Sequence, residues 1–576
     1  MEIFLPTGEW MINQGLVGFV RIARKAGHHI EMKQDGICFD SSIFNTMAKD
    51  YFTYFLEKFS VADRDETRLK KILSRCRKEE TFKEAKKKLD ESLKRTWDKA
   101  KNYCSDTAEG TEMSLLIEQI KGYDQFEDIE QIEKEVNRYL DLLKTPFINE
   151  KQTVNFFKLS ILQPYFGQNS FLNISLNKLA IEEQIQRIHQ DYIVPILCEL
   201  ELKQLLMNAE DENQLLSWLK ECPYKPIKNL HKTWKKTSLA DIRENENEQF
   251  LSCSFFDEWY AFEHLNEGHF VPLQVSSSNA LNYYWDFDNG MKIPISNLAK
   301  FILFCAPAGA ALSPNGNQSS FVQIDGSMNK LFEVNERYAL LREEESPLNE
   351  IIFDLVTELK EKGNANHRNY LFIDYSSDYR LRKTILNYFD LPRSLSRFFV
   401  NEHKLLKRMH YSLRNALAYD FLTRRDAKWR IFNVLRQCIE KKYSALDAQT
   451  AVVVRHLYQK YLEGDGDVKI DSKTESKSIW FLYNCGREVR QKYVEKGQEP
   501  KVQGIAYRLL NATKANNKKT FMDSLIRVYM SLELPMPSLF LQVLHEEKLD
   551  FATVANAFIA GLVSQPNDKQ PEGGNE

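Results

Sequence analysis

The sequence predicts an α+β fold, a large mixed N-terminal region with short strands and helices followed by an all-α C-terminal helical bundle. Three observations carry this. Short apolar runs with strand character alternate with helical stretches through the first part of the chain. Beyond Pro392 strand signals stop and apolar residues recur at helical spacing. The 576 residues also exceed the roughly 250–300 that one hydrophobic core can organise, so two or more domains are expected. The boundaries read as a mixed region 1–392 with a charged helical segment 62–145, a basic bundle 393–564 and a disordered tail 565–576.

Taken in order, Ile3–Leu5 reads as a strand, and Thr7 as the cap of a helix that runs to Ala26 and stops at Gly27. His29–Lys33 and Ile37–Phe39 flank Asp35-Gly36, a hairpin signal, and Phe44–Phe59 follows as a helix. Residues 62–145 are dense in charge and poor in Pro and Gly. Lys86–Lys88 resemble a basic patch, but Glu79, Glu80, Glu84, Asp90 and Glu91 interleave, which favours a solvated helical face. Further on, Phe270–Val275 reads as a strand before a polar elbow at Ser276–Ser278. Phe321–Ile324 and Leu331–Val334 read as an extended pair around Asp325-Gly326. Ser346 and Pro347 open a helix that ends at Gly363, and Tyr370–Tyr375 is the last strand expected. In the bundle, Trp429, Phe432, Leu435 and Ile439 share helical spacing. Ala451–Leu462, Ile479–Val494 and Phe521–Leu532 continue the pattern, Thr520 and Asp523 form a capping box, and Pro535, Pro537 and Gly561 punctuate two short final helices.

Composition excludes several classes. The nine cysteines are scattered and never spaced as CxxC, which suits reduced thiols and argues against a disulfide scaffold. The N-terminus MEIFLPTGEW lacks the pattern of a signal peptide. The longest apolar run, Phe301–Leu312, is shorter than the roughly 20 residues of a membrane span and is interrupted by Pro307 and Gly309. A buried helix end and a cytoplasmic protein with no membrane partner are expected. No GxxxxGK[ST], GxSxG, HExxH or GxGxxG motif is present. His28 and His29 are adjacent and face opposite ways on a strand. Asp286–Gly290 and Glu463–Asp467 lack the spacing of calcium loops and read as turns. No catalytic residue, metal or cofactor is assigned.

Charge is the informative quantity. The net charge of −3 conceals a split: Leu381–Met530 carries 30 Lys and Arg against 15 Asp and Glu, a net of +15 that leaves −18 for the rest. Such asymmetry points to nucleic acid, with docking of the basic bundle on the acidic remainder of its own chain as the bland reading. The candidate phosphate contacts are Arg393, Arg397, Lys404, Lys407, Arg408, Arg414, Arg424, Arg425, Lys428 and Arg430, then Lys514, Lys518 and Lys519. Phe398, Tyr411, Tyr419, Phe421 and Trp429 interleave with them. Aromatics of this kind stack on unpaired bases, but core packing is the favoured reading here.

Three stretches together resemble the large subunit of type I-B CRISPR surveillance (Cascade) complexes. They are PTGEWMINQGLVGFVRIARKAG at the start, VPLQVSSSNALNYYWDF in the centre, and YNCGREVRQKY with FMDSLIRVYM near the end. The resemblance implies a non-catalytic subunit of a complex built on a CRISPR RNA with backbone and RNA-processing subunits. It implies recognition of the protospacer-adjacent motif on target DNA, help in opening the duplex, stabilisation of the R-loop and recruitment of a helicase–nuclease in trans. It further implies a small subunit made from an internal start, for which Met409 and Val400 are the candidates. For motif recognition the candidates are Ser276, Ser277, Ser278, Asn279 and Asn282, since Ser and Asn reach base edges; a loop that caps a helix near Ala280 is the alternative. Asn13 and Gly15 are expected to serve helix packing. Many relatives carry a zinc-binding CxxC…CxxC element. This chain lacks it, Cys222 and Cys253 mark the region of a degenerate version, and no zinc is expected. Two other classes remain: a nucleic-acid-processing enzyme whose site assembles from scattered residues, and a structural interaction protein.

Overall fold

The computed structural model describes residues 1–176, 179–208, 212–244, 250–273, 293–313, 318–343, 369–378, 383–463, 470–546 and 548–565. It divides into two compact units. The first comprises Met1–Phe321, Ser327–Glu336 and Asp374–Asn387; the second comprises Val322–Gly326, Arg337–Ile373 and Tyr388–Glu576. The α+β class holds, with short sheets in the N-terminal half and helices filling the C-terminal region.

In the first unit, β1 (Glu2–Pro6), β2 (Glu31–Met32) and β3 (Gly36–Asp40) form an antiparallel sheet in the order β1-β3-β2. The hairpin at Asp35-Gly36 sets Glu31 opposite Cys38 and Met32 opposite Ile37. The helix Trp10–Lys25 stops as expected, with Gly27 at φ +86° and its N–H on the Arg24 carbonyl. Thr7 is not its cap. Thr7 ends the strand region, so its hydroxyl reaches the Asp35 carbonyl (3.1 Å), and the Asn13 side chain closes the helix start on both the N–H and the C=O of Gly8.

This helix is buried continuously from Met11 to Ala23 because it lies backbone to backbone on two short helices, Asn297–Phe304 and Ala306–Gly309. A Cβ on Gly18 would stand 1.9 Å from the Cys305 carbonyl oxygen, and one on Gly15 would stand 2.3 Å from that of Ile302. Only hydrogen fits at either position. The apolar run Phe301–Leu312 is therefore a buried helix end, as its sequence indicates. Carbonyls of this buried run accept from side chains of the first helix. Gln14 Nε2 donates to Ala306 O (2.8 Å) and to the Tyr375 hydroxyl (2.7 Å), which lies 2.8 Å from that of Tyr165. Arg21 donates to the carbonyls of Ala308 (2.8 Å), Ala310 (3.3 Å) and Asn335 (3.1 Å) and pairs with Glu336 at 2.5 Å.

The charged segment folds as four helices, Val61–Cys76, Glu79–Cys104, Ala108–Gly122 and Ile129–Leu143, around a core of its own. Ser60 and Thr107 cap two of them through their side-chain oxygens. The cations of the Lys86 region pair within the helix, Lys88 with Glu84 and Lys86 with Asp90 (2.8 Å). Lys86 itself is buried, which a solvated face does not anticipate.

Several expected elements differ. Phe270–Val275 is not a strand over its described part: Val271–Leu273 is a 3-10 turn, since Pro272 fixes φ and lacks the N–H that a ladder needs. Small ladders join β4 (Leu251–Ser252) to β5 (Tyr260–Ala261) and β6 (Glu263–His264) to β7 (Pro294–Ile295). A larger sheet takes β8 (Ala311–Leu312), β9 (Ser319–Ile324), β10 (Tyr370–Asp378) and β11 (Lys383–Leu391) in the order β11-β10-β9-β8. Tyr370–Tyr375 is thus a strand but not the last one. Leu331–Val334 is helical, inside Met328–Glu343, because Leu331, Val334 and Tyr338 bury one helical face. The expected helix between Ser346 and Gly363, the turn at Asp286–Gly290 and the tail from residue 566 lie outside the described residues, as does most of Glu463–Asp467.

The second unit packs helices Arg393–Lys407, Tyr411–Leu422, Lys428–Lys441, Leu446–Glu463, Ser472–Glu495, Glu499–Lys514 and Lys518–Leu532 with the apolar helix Phe551–Leu562. Gly561 lies inside that last helix instead of ending it. A Cβ there would come within 1.9 Å of the Tyr483 carbonyl oxygen, so the glycine serves a close helix approach. Nor do Thr520 and Asp523 form a capping box: Asn517 is the cap, accepting from Thr520 N at 2.9 Å.

Two outcomes test this packing. Gly18→Ala should lower the thermal midpoint and cost about 2 kcal/mol or more, because the backbone carbonyl it meets cannot turn aside; an unchanged melting curve would contradict the contact. Glu199 is fully buried, and burial pushes its carboxyl from 4.5 up to about 8, against the smaller opposing influences of Lys203 and Asn297. The folded chain therefore holds a proton that the unfolded chain releases, and stability falls as pH rises from about 4.5 through about 8. The stabilisation of Glu199→Gln over wild type should grow across that window, to a few kcal/mol in order of magnitude. A pH-independent difference in thermal midpoint would refute it.

Candidate nucleic-acid interface

The cations singled out in the sequence sit at helix ends and turns of the second unit. Lys404 and Lys407 occupy the last turn of Arg393–Lys407 and Arg408 follows it; all three are exposed. Cations there also suit the negative end of a helix dipole. Arg424, Arg425 and Lys428 are exposed around the turn between Tyr411–Leu422 and Lys428–Lys441. Arg393, Arg397, Arg414 and Arg430 are half-buried.

The turn is held from inside by acids. Asp420 is buried and takes both arms of the Arg430 guanidinium at 2.5 and 2.7 Å, while its carbonyl accepts from Arg425 N at 2.7 Å. That pairing raises the Arg430 pKa, against a smaller effect of burial. Asp426 meets Arg455 at 2.5 and 2.9 Å, and Arg455, with its side chain 4% exposed, also reaches Asp550 (2.8 Å) and Thr553 (3.0 Å) on the terminal helix. Burial alone pushes the Asp426 and Asp550 carboxyls up; the hydrogen bonds and charge of Arg455 outweigh it, and both titrate below their ordinary value. Asp426, itself exposed, also lies 3.7 Å from the Lys428 ammonium, while Arg424 and Arg425 are exposed on the same turn. Arg424 adopts φ +54° at the tip and lies 3.4 Å from Asp390.

Aromatic placement splits. Phe398 and Phe421 are core residues, in edge contact at 5.4 Å, as the packing reading expects. Tyr411, Tyr419 and Trp429 are instead exposed by 62%, 41% and 51%. Trp429 shares helical spacing with buried Phe432 and Leu435, but it stands in the first turn of its helix and remains exposed there. The Arg425 guanidinium lies 5.9 Å from the Tyr419 ring. The structure also brings Lys514 to this helix, with its ammonium 4.9 Å from the Phe432 ring, whereas Lys518 pairs with Glu546 at 3.0 Å and Lys519 is exposed. Ser276, Ser277, Ser278, Asn279 and Asn282 lie outside the described residues. Asn13 and Gly15 are occupied in helix capping and packing, as given above.

Among the described residues neither Cys222 nor Cys253 belongs to a grouping of three metal-ligating side chains. Cys253 Sγ accepts from the backbone N–H groups of Phe255 (3.4 Å) and Ser296 (3.3 Å), and Cys222 donates to the Tyr224 carbonyl (3.7 Å). Cys222 belongs with Cys198 to an apolar core. Among the described residues the grouping of metal-ligating types is Glu2, Glu31 and Cys38, elsewhere in the fold, where the Cys38 thiol donates to Glu2 at 2.9 Å. Burial, then Glu2, push that thiol's pKa up, the opposite of what a thiolate ligand needs.

No helix among the described residues is long and apolar enough to cross a membrane. No curated protein and no solved structure matches the chain. Residues 257–311 match the family model Cas_CXXC_CXXC, described as a CRISPR-associated protein. That segment contains Cys305 and no CxxC pair, and it ends in the two short helices on which the first helix lies. The match supports a CRISPR-associated protein, with a role in a CRISPR system and in partnership with its components.

Proposed function

We propose that this chain is the non-catalytic large subunit of a type I-B Cascade complex. In this reading it recognises the protospacer-adjacent motif on target DNA, helps unwind the duplex and stabilises the R-loop, so that a separate helicase–nuclease is recruited. Its partners are the CRISPR RNA, the backbone and RNA-processing subunits, and a small subunit from an internal start near Met409. The observation that carries the reading is the match of residues 257–311 to a CRISPR-associated family in a chain whose other end is a basic bundle with outward-facing cations. Sequence-independent attraction to phosphates is what Lys404, Lys407, Arg408, Arg424, Arg425 and Lys428 supply. Tyr411, Tyr419 and Trp429 add ring faces on which unpaired bases stack, which favours a displaced single strand as the bound element.

Replacing Lys404, Lys407 and Arg408 together by Ala should weaken single-stranded DNA binding about 10- to 100-fold at moderate salt, uniformly across sequences. The slope of log affinity against log salt should fall by about 2. Fluorescence anisotropy with labelled oligonucleotides checks both, and unchanged affinity at low salt defeats the assignment. Purified chain with magnesium and labelled DNA should give no cleavage; metal-dependent cutting would favour a nucleic-acid-processing enzyme.

A further inference from the structure

A cavity of about 430 Å³ opens in the first unit, where the charged helical segment meets the helix Pro146–Phe156 and the π-helical turn Phe157–Leu162. Its walls include the rings of Phe156 and Tyr103, the amides of Asn102, Gln152 and Asn155, and Lys99. No carboxylate is among its lining residues. Asn155 donates to the Tyr103 hydroxyl, which fixes amide and ring against one another. The guanidinium of Arg64 lies 4.2 Å from the Phe156 ring centroid and adds positive potential to the same wall.

Gln152 is the telling residue. It is 6% exposed, and its Nε2 has no hydrogen-bond partner among the described residues. Buried amide donors are ordinarily satisfied, so this one is a donor held without an acceptor in a residue that lines the cavity. A ligand matching these walls is flat enough to lie on a ring, offers donors and acceptors along its edge to the amides, and carries negative charge toward Lys99. We propose that the cavity binds a single nucleotide unit, the base between Phe156, Tyr103 and the amides and the phosphate at Lys99. The volume suits this: it lies toward the lower end of the roughly 300–1,000 Å³ of small-molecule pockets, enough for one nucleotide and not for a strand. The site is separate from the basic bundle and stands whether or not that bundle binds DNA.

Isothermal titration of the full chain with each of the four ribonucleoside 5′-monophosphates is the test. At least one should bind saturably at one site. Gln152→Leu should weaken it about tenfold or more. Lys99→Glu, at an exposed position, should weaken the nucleotide while leaving the corresponding nucleoside unaffected, and it decides the matter where Gln152→Leu fails to fold. The Lys404, Lys407, Arg408 triple-alanine variant should bind the mononucleotide as wild type does, so that failure of the DNA assignment and failure of this one are read separately. Competition by a short single-stranded oligonucleotide identifies an unpaired nucleotide of a strand as the source; its absence identifies a free nucleotide. Lack of saturable binding at millimolar concentration by folded protein, or binding unaltered by both substitutions, overturns the proposal.

Discussion

The first unit depends on a contact in which there is no room for a side chain. The helix Trp10–Lys25 and the helix pair Asn297–Gly309 touch through their backbones at Gly15 and Gly18, far apart in sequence from the residues they meet. Such proximity brings dispersion along a whole helix length, but it also buries carbonyls released where the pair breaks at Cys305 and Pro307. Gln14 and Arg21 answer that need from the same helix, one residue before Gly15 and three after Gly18. Close approach and polar satisfaction are therefore one device. The segment that matches the CRISPR-associated family ends in this device, so its geometry is set by the first 25 residues of the chain.

In the second unit the constraint is electrostatic. Basic surface on a folded domain requires that its acids be engaged, and here Asp420 is taken up by Arg430, and Asp426 and Asp550 by the buried Arg455. Arg455 ties the 423–427 turn to the terminal helix, which rests on Ser472–Glu495 through Gly486 and Gly561. Removing the acids would strand the buried Arg455, and removing Arg430 would strand the buried Asp420, so the exposed Arg424 and Arg425 rest on an internal lattice.

Much of this was legible in the chain. Asp35-Gly36, Gly27 and the alternation of the early strands act locally, and the structure has them as read. The dense charge of 62–145 announced helices because helices tolerate charge on every outward face. Features decided at a distance were not legible. Thr7 reaches a hairpin instead of its helix, the four residues Leu331–Val334 belong to a helical face that only Tyr338 beyond them completes, and Trp429 fits a buried stripe yet is exposed in the opening turn of its helix. The walls of the 430 Å³ cavity come from separate helices, and no spacing in the sequence connects Lys99 with Gln152. The exposed cations could be named from composition; which of them face inward acids could not, since Arg430 and Arg424 differ only in the partner the fold supplies.

Phe398 packs edge-on against Phe421, Tyr458 and Tyr461 at 5.4, 5.6 and 5.7 Å, and Asn401 and Glu402 of the same helix hold the Tyr461 hydroxyl. A polypeptide begun at Met409 would lack this entire helix, and one begun at Val400 would lack Phe398. Either product would leave a patch of three aromatic rings uncovered on Tyr411–Leu422 and Leu446–Glu463. It would behave as an obligate subunit that needs a borrowed helix to close its core, and its accumulation in the cell would be limited by the supply of that cover.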